Sequence, residues 1–156
     1  MNNKAFQDYY PDELSHCYGC GKNNTAGHQL KSYWDGEESV AHFTPKSHHT
    51  AIPGFVYGGL VASLIDCHGT GTASAAAFKA ANREMGTEPP LRFVTASLKV
   101  DYLAPTPQGI DLALRGVPVE VKDRKVVVDI TVHANDILCA KGQVVAVKMP
   151  EGMQPQ

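Results

Sequence analysis

The sequence predicts an α+β fold, with one long central helix wrapped by a curved, six-stranded, mostly antiparallel sheet. Three observations carry that expectation. A single long, alanine-rich helical pattern occupies the middle of the chain, two strand-like segments joined by a turn precede it, and four more strand-like segments follow it. A lone helix can cover only one face of such a sheet, so the sheet must curl around it or a second copy must cover what stays open.

The chain has 156 residues, enough for one domain with a real core. Residues 1–26 read as an irregular N-terminal segment, 27–149 as a single domain and 150–156 as a loose tail. Gly27 to Trp34 and Glu37 to Thr44 read as strands around the turn Asp35-Gly36, a strong hairpin signal. Val40 and Phe43 break the alternation of the second strand. Pro45 to Val56, with two prolines and Gly54, reads as a loop. Leu60, Val61, Leu64, Ile65 and His68 then recur at helical spacing, and Ala73 to Ala81 is alanine-rich, so the helix is placed from Gly58 to Asn82. Gly69 and Gly71 each cost about 1 kcal/mol against alanine there, and their missing side chains would let another backbone come close. Asn82 to Pro90 reads as a loop. The last four strands are Phe93 to Leu103, Ile110 to Val121, Lys125 to His133 and Ile137 to Lys148, separated by Pro105–Gly109, Lys122–Arg124 and Asn135-Asp136.

Composition narrows the function classes. A net charge of −2 does not favour a nucleic-acid partner. No run of about 18 apolar residues marks a membrane span. Met1 to Asp12 is polar and mixed, unlike a signal peptide, and Cys67 and Cys139 sit in apolar surroundings suited to reduced thiols, so a cytoplasmic location is expected.

The segment from Pro53 to Asp66 carries the chemistry. Gly58 and Gly59 close a loop and open the helix, where backbone N–H groups have no intrahelical partner and the dipole is positive. With no side chain in the way, the Gly58 N–H is a ready oxyanion donor. Asp66 lies in an apolar helical stretch between Ile65 and Cys67, a costly place for a carboxylate unless it is paired or used. Eight residues separate Gly58 from Asp66, about 12 Å along a helix. One chain does not easily bring both to the same carbonyl carbon. Two chains with antiparallel helices side by side do, so a homo-oligomer, dimer or tetramer, becomes part of the expected mechanism.

These residues resemble the hotdog-fold acyl-CoA thioesterases, in particular the phenylacetate-pathway and human-thioesterase-superfamily-like branch. Members typically show His-Gly-Gly, six apolar or small residues, then Asp. This chain has Tyr57-Gly58-Gly59, six such residues, then Asp66. Val94 to Pro105 is similar to the family's third strand, and Cys17-Tyr18-Gly19-Cys20-Gly21 to the cysteine-glycine opening of one subgroup. The resemblance spans roughly residues 17 to 148. It implies hydrolysis of an acyl-CoA to a free acid and CoA. Gly58 N–H would polarise the thioester carbonyl, Asp66 of the neighbouring subunit would activate water or attack directly, and Thr95 would orient that water. Thr70 is a further candidate, because positions i and i+4 share a helix face with Asp66. Gly59 belongs to the binding loop. Lys122 and Arg124, with Lys125, offer cations for the CoA phosphates. No cofactor is implied, since CoA is part of the substrate.

The departures from the family pattern also matter. The usual His is Tyr57, kept as a candidate catalytic residue because a phenol can donate a hydrogen bond and pack beside an acyl group, although a phenol is not a neutral-pH acid–base group. Thr50 and Ala51 stand where some members place a side-chain amide, with His48 and His49 upstream, read as exposed loop histidines. A non-catalytic acyl-CoA binding module is therefore the alternative. A dehydratase would want a histidine in the helix, and the spacing of His68 does not suit it. Cys17 and Cys20, with His16 and His28 nearby, are spaced like metal ligands. A second CxxC is absent, so they read as two free thiols in a glycine-rich loop and no metal is assigned.

Overall fold

The computed structural model describes residues 4–156. Its elements are β1 (Ser32–Asp35), β2 (Glu38–Phe43), α1 (Gly58–Ala80), β3 (Phe93–Tyr102), β4 (Leu112–Val121), β5 (Lys125–Ala134) and β6 (Ile137–Lys148). The six strands form one antiparallel sheet in the order β1-β2-β4-β5-β6-β3, with α1 packed on it. This is the α+β arrangement expected from the sequence.

The strand pattern explains the core. Along β4, β5 and β6 alternate side chains point to the helix, and Leu112, Leu114, Val128, Ile130, Val132, Ala140, Val144 and Ala146 are all buried. Leu64 and Ile65 of α1 are fully buried against that face. Each contributes roughly 1.5–3 kcal/mol by leaving water. A Cβ on Gly69 would come within 2.4 Å of Val144, and one on Gly142 within 2.6 Å of Ile65. The two glycines therefore let α1 settle directly onto β6. The close neighbour of Gly69 is a side chain, rather than the backbone anticipated from its sequence.

Several boundaries differ from expectation. β1 begins at Ser32, not Gly27, because residues 28–30 bond back to the preceding loop: His28 N–H donates to Tyr18 and Leu30 N–H to Gly19, with Gln29 at φ 54°. In the hairpin Asp35 pairs with Glu38, so the turn residues are Gly36 and Glu37, with Gly36 at φ 66°. α1 ends at Ala80, since Asn82 turns left-handed at φ 55°. β4 begins at Leu112, two residues after the expected start.

The N-terminal segment contains two short 3-10 turns, Phe6–Tyr9 and Asp12–Leu14, the first of which packs on the helix. Ala5, Phe6, Gln7 and Tyr10 are buried. Gln7 ties this segment to β1: its Nε2 donates to Ser32 Oγ at 3.2 Å and its Oε1 accepts Ser32 N–H at 2.8 Å. Among the described residues, no helix is long and apolar enough to cross a membrane.

Candidate active site

Two places on α1 gather the residues singled out in the sequence. The first is its N-terminus. The loop before it is braced by the β3–β4 connection, with Val56 N–H donating to Thr106 and Gln108 N–H to Gly54. Tyr57 is the N-cap residue but makes no side-chain capping bond, so the first N–H groups of α1 remain uncapped. Tyr57 itself is exposed, and its ring lies over Gly59, where a Cβ would come within 2.4 Å of it. The Gly58 carbonyl accepts a 2.5 Å hydrogen bond from the Tyr102 hydroxyl. Partial burial, and then neighbouring Tyr57, push the Tyr102 phenol up, which keeps it a donor. Tyr102 lines the candidate site, and its contact with Gly58 was not anticipated from the sequence. The only signal was an aromatic at the end of a strand just before Pro105.

An open apolar groove of about 530 Å³ lies beside this turn, lined by Ile52, Phe55, Gly58, Val61, Tyr102 and Leu103, among others. Ile52, Phe55, Tyr102 and Leu103 are large apolar or aromatic side chains left exposed around it.

The second place is two turns along. Asp66 is half-buried, and Thr95 Oγ1 on β3 donates a very short hydrogen bond to its Oδ1. The strand is shaped for this: a bulge lies between Thr95, paired with Ala146, and Ser97, paired with Val145, so Ala96 is an extra residue. Such bulges re-aim neighbouring side chains. No other side-chain hydrogen bond or ion pair reaches the Asp66 carboxylate among the described residues. An ionised carboxylate has about four acceptor sites, so most of its capacity is free.

Thr70 lies one turn beyond Asp66, but its hydroxyl donates to the main-chain carbonyls of Asp66 and Cys67, both at 3.3 Å. It meets the backbone of Asp66 and not its carboxylate. Lys122 and Arg124 sit at the β4–β5 turn, where Lys122 lines a cleft with Ala80 and Ala81 at the other end of α1 and pairs with Glu120 at 3.4 Å. A helix of this length spans about 34 Å, so one chain does not bring them to Gly58. His48 is exposed. His49 instead is half-buried, packs against His28 and Phe43, and accepts the Lys46 N–H on Nδ1 at 2.9 Å, which corrects its reading as an exposed loop residue.

His68 is fully buried and faces the sheet. Its Nδ1 lies 2.9 Å from Ser32 Oγ and its Nε2 3.0 Å from Ser39 Oγ, and Ser39 is 2.6 Å from Thr72 Oγ1. Desolvation pushes its pKa down to about 4. Among the described residues, one cluster has metal-ligand chemistry: the sulfurs of Cys17, Cys20 and Cys67 lie within 4.8 Å of one another. Cys67 is about 100° around the helix from Asp66.

Comparison with known proteins fits this geometry. No curated protein matches the sequence. A thioesterase superfamily protein from Shewanella loihica is 56% identical, with 90% of this chain aligned to 100% of that one and a TM-score of 0.69. A thioesterase from Haemophilus influenzae shares the fold at 15% identity, over 83% of this chain and 85% of that one, with a TM-score of 0.66. So does a Streptococcus mutans protein solved with acetyl CoA bound, at 17% identity over 77% and 88% of the two chains, with a TM-score of 0.59. The family description "Thioesterase superfamily" matches residues 53–141, the stretch that carries the uncapped helix start, Asp66 and Thr95. The chain, with its long helix on an antiparallel sheet, therefore belongs to the hotdog-fold thioesterase superfamily.

Proposed function

We propose that this protein hydrolyses acyl-CoA thioesters as a dimer, each site taking the Gly58 N–H from one subunit and Asp66 from the other. The observation that carries the reading is Asp66, a half-buried carboxylate held at one oxygen by Thr95 and unpaired at the other. In this reading the thioester carbonyl oxygen accepts from the Gly58 N–H. The Asp66 carboxylate takes a proton from water as the water oxygen bonds to the carbonyl carbon. The tetrahedral intermediate collapses, the C–S bond breaks, and CoA leaves as a thiolate. Direct attack by Asp66, through an anhydride that water then opens, uses the same groups. Thr95 acts as a positioning residue for Asp66, and Tyr102 as one for the first turn of α1. Superfamily membership and the acetyl CoA held by the Streptococcus mutans protein support an acyl-CoA substrate. The groove beside Gly58 suits the acyl or pantetheine portion, and Lys122 and Arg124 of the second subunit are candidates for the CoA phosphates.

The second subunit is argued from unfinished surface. β3 is an edge strand paired only with β6, it is ten residues long, and Leu98 and Tyr102 on it are exposed. Long open edges with apolar neighbours are the surfaces that another copy covers.

Mixed oligomers test the proposal. Thiol release from a panel of acyl-CoA esters is measured for the parent, for Asp66→Asn and for Gly58→Pro. The proline removes the N–H at the first helical position, where proline is tolerated. Each variant alone is expected to be inactive, and co-refolded mixtures to regain activity, because one heterodimer site then holds both native groups. Inactive mixtures would place both groups in one subunit. Tight binding without thiol release by the parent would make the protein an acyl-CoA binding module instead, the reading that Tyr57 in the usual His position favours.

A further inference from the structure

The sequence separates Cys67 from Cys17 and Cys20 by almost fifty residues, and the fold brings them together. We propose that Cys17, Cys20 and Cys67 form a zinc site, with three thiolates on one Zn²⁺ and the fourth position open to solvent beside Cys17. The Cys17 and Cys67 sulfurs are 3.7 Å apart, and all three lie within 4.8 Å of one another. Tetrahedral bonds of about 2.3 Å place two sulfurs roughly 3.8 Å apart, so one pair already has the spacing and the third needs only a small closure. None of the four cysteines forms a disulfide.

The loop is built to deliver sulfur. Gly21 N–H donates to the Cys17 carbonyl at 2.8 Å, which closes the Cys17–Gly21 turn, and a Cβ on Gly21 would lie within 2.4 Å of the Cys17 nitrogen. A Cβ on Gly19 would lie 2.2 Å from the Cys67 sulfur, so only glycine lets the helix thiol come down onto the loop. The Cys20 and Cys67 thiols, and then the N–H groups of Cys20 and Gly19, face the Cys17 sulfur.

The surroundings supply the matching charge. Three thiolates with one Zn²⁺ leave a single negative charge, and Arg92 lies near, where burial disfavours its charged form while Tyr10, and after it the three cysteines, favour it. Its Nη1 is buried without a hydrogen-bond partner, and its guanidinium stacks on Tyr10, 4.6 Å from the ring centre. An unpaired buried donor of this kind is rare and suits a counter-ion to an anionic cluster. His16 and His28 do not join the group within ligand distance, and Cys17 is only half-buried, so the fourth position opens outward. The metal would staple the N-terminal loop to α1 one residue from Asp66, a role independent of the proposed hydrolysis.

The test uses the full chain, purified under reducing conditions and stripped with a chelator. Titration with Co²⁺ is expected to give thiolate-to-cobalt charge-transfer absorption at one equivalent, displaced by Zn²⁺, and Zn²⁺ is expected to raise the thermal midpoint. Outer-shell changes already weaken metal sites 10- to 100-fold. Cys67→Ser, and separately Cys17→Ser on the less buried loop, are therefore expected to weaken binding by more than about 100-fold, with Cys139→Ser and Asp66→Asn binding like the parent. A parent protein that shows no thiolate-to-cobalt band overturns the proposal, and so does a band that survives both Cys17→Ser and Cys67→Ser. Metal binding by an Asp66→Asn protein that no longer releases CoA separates this inference from the catalytic one.

Discussion

Asp66 and His68 stand two residues apart on α1 and about 200° apart around it. Both are titratable groups in an apolar helix, yet their surroundings are opposite. His68 has no exposed surface, and each ring nitrogen meets a serine hydroxyl. Asp66 is half-buried, with Thr95 on one oxygen and the other free. The difference shows how a fold separates a fully satisfied polar group from one with capacity left over. Where every donor and acceptor is matched and water is excluded, the group specifies packing. Where capacity is left over beside an open surface, a substrate or water can use it.

The largest effect is expected from neutralising Asp66. Asp66→Asn is expected to lower kcat/KM for thioester hydrolysis by about 10²–10⁴ while leaving the thermal midpoint near that of the parent. Full activity in this variant would remove Asp66 from the chemistry.

The His68 side of the comparison is read through pH. Its folded pKa, about 4, lies below the ordinary value of 6.5, so the unfolded chain binds a proton first. Stability is therefore fully present above pH 6.5 and falls as pH drops from 6.5 toward 4, by about 3 kcal/mol in all. Urea unfolding of the parent and of His68→Gln across that window checks this, since the variant is expected to lose most of the slope. A smaller loss, about 1–3 kcal/mol, is expected for Ser39→Ala, which leaves His68 Nε2 and Thr72 short of a partner. Turnover per folded molecule is expected to hold.

Thr95→Val tests the one bond that Asp66 does make. Losing a hydrogen bond to a charged group is worth about 1.5–3 kcal/mol when it acts fully, and a positioning role on exposed Thr95 is expected to return less, about a 10-fold fall in kcat with KM little changed. The smallest effect is expected for Tyr102→Phe, a few-fold loss that Tyr102→Leu deepens, because the ring also packs against Gly58. Steady-state kinetics on each variant ranks them.

Much of this architecture was legible in the residues alone. A single alanine-rich helical run and six segments of strand character define an α+β chain, because local periodicity records which side of each element meets the core. Two glycines opening a helix mark an uncapped N-terminus by the same local logic. The second hairpin strand shows the limit. Its buried residues are Ser39 and Ala41, with Phe43 partly buried against the core on the same face and Val40 on the other, and Ser39 bonds His68. An alternation rule that looks for apolar side chains misses a strand whose buried face is partly polar.

The rest depended on contacts between distant segments, which periodicity does not encode. Only the fold turned Thr95 onto Asp66 through a bulge and gave Thr70 to the helix backbone instead. It also placed Tyr102 under Gly58, closed His68 into a serine network, and carried Cys67 to the Cys17–Gly21 loop. The sequence by itself determined which elements form and where a carboxylate and an uncapped, glycine-rich helix start lie along the chain. The tertiary structure decided which of those groups are satisfied and which are left free, because hydrogen-bond partners and desolvation are properties of neighbours in space.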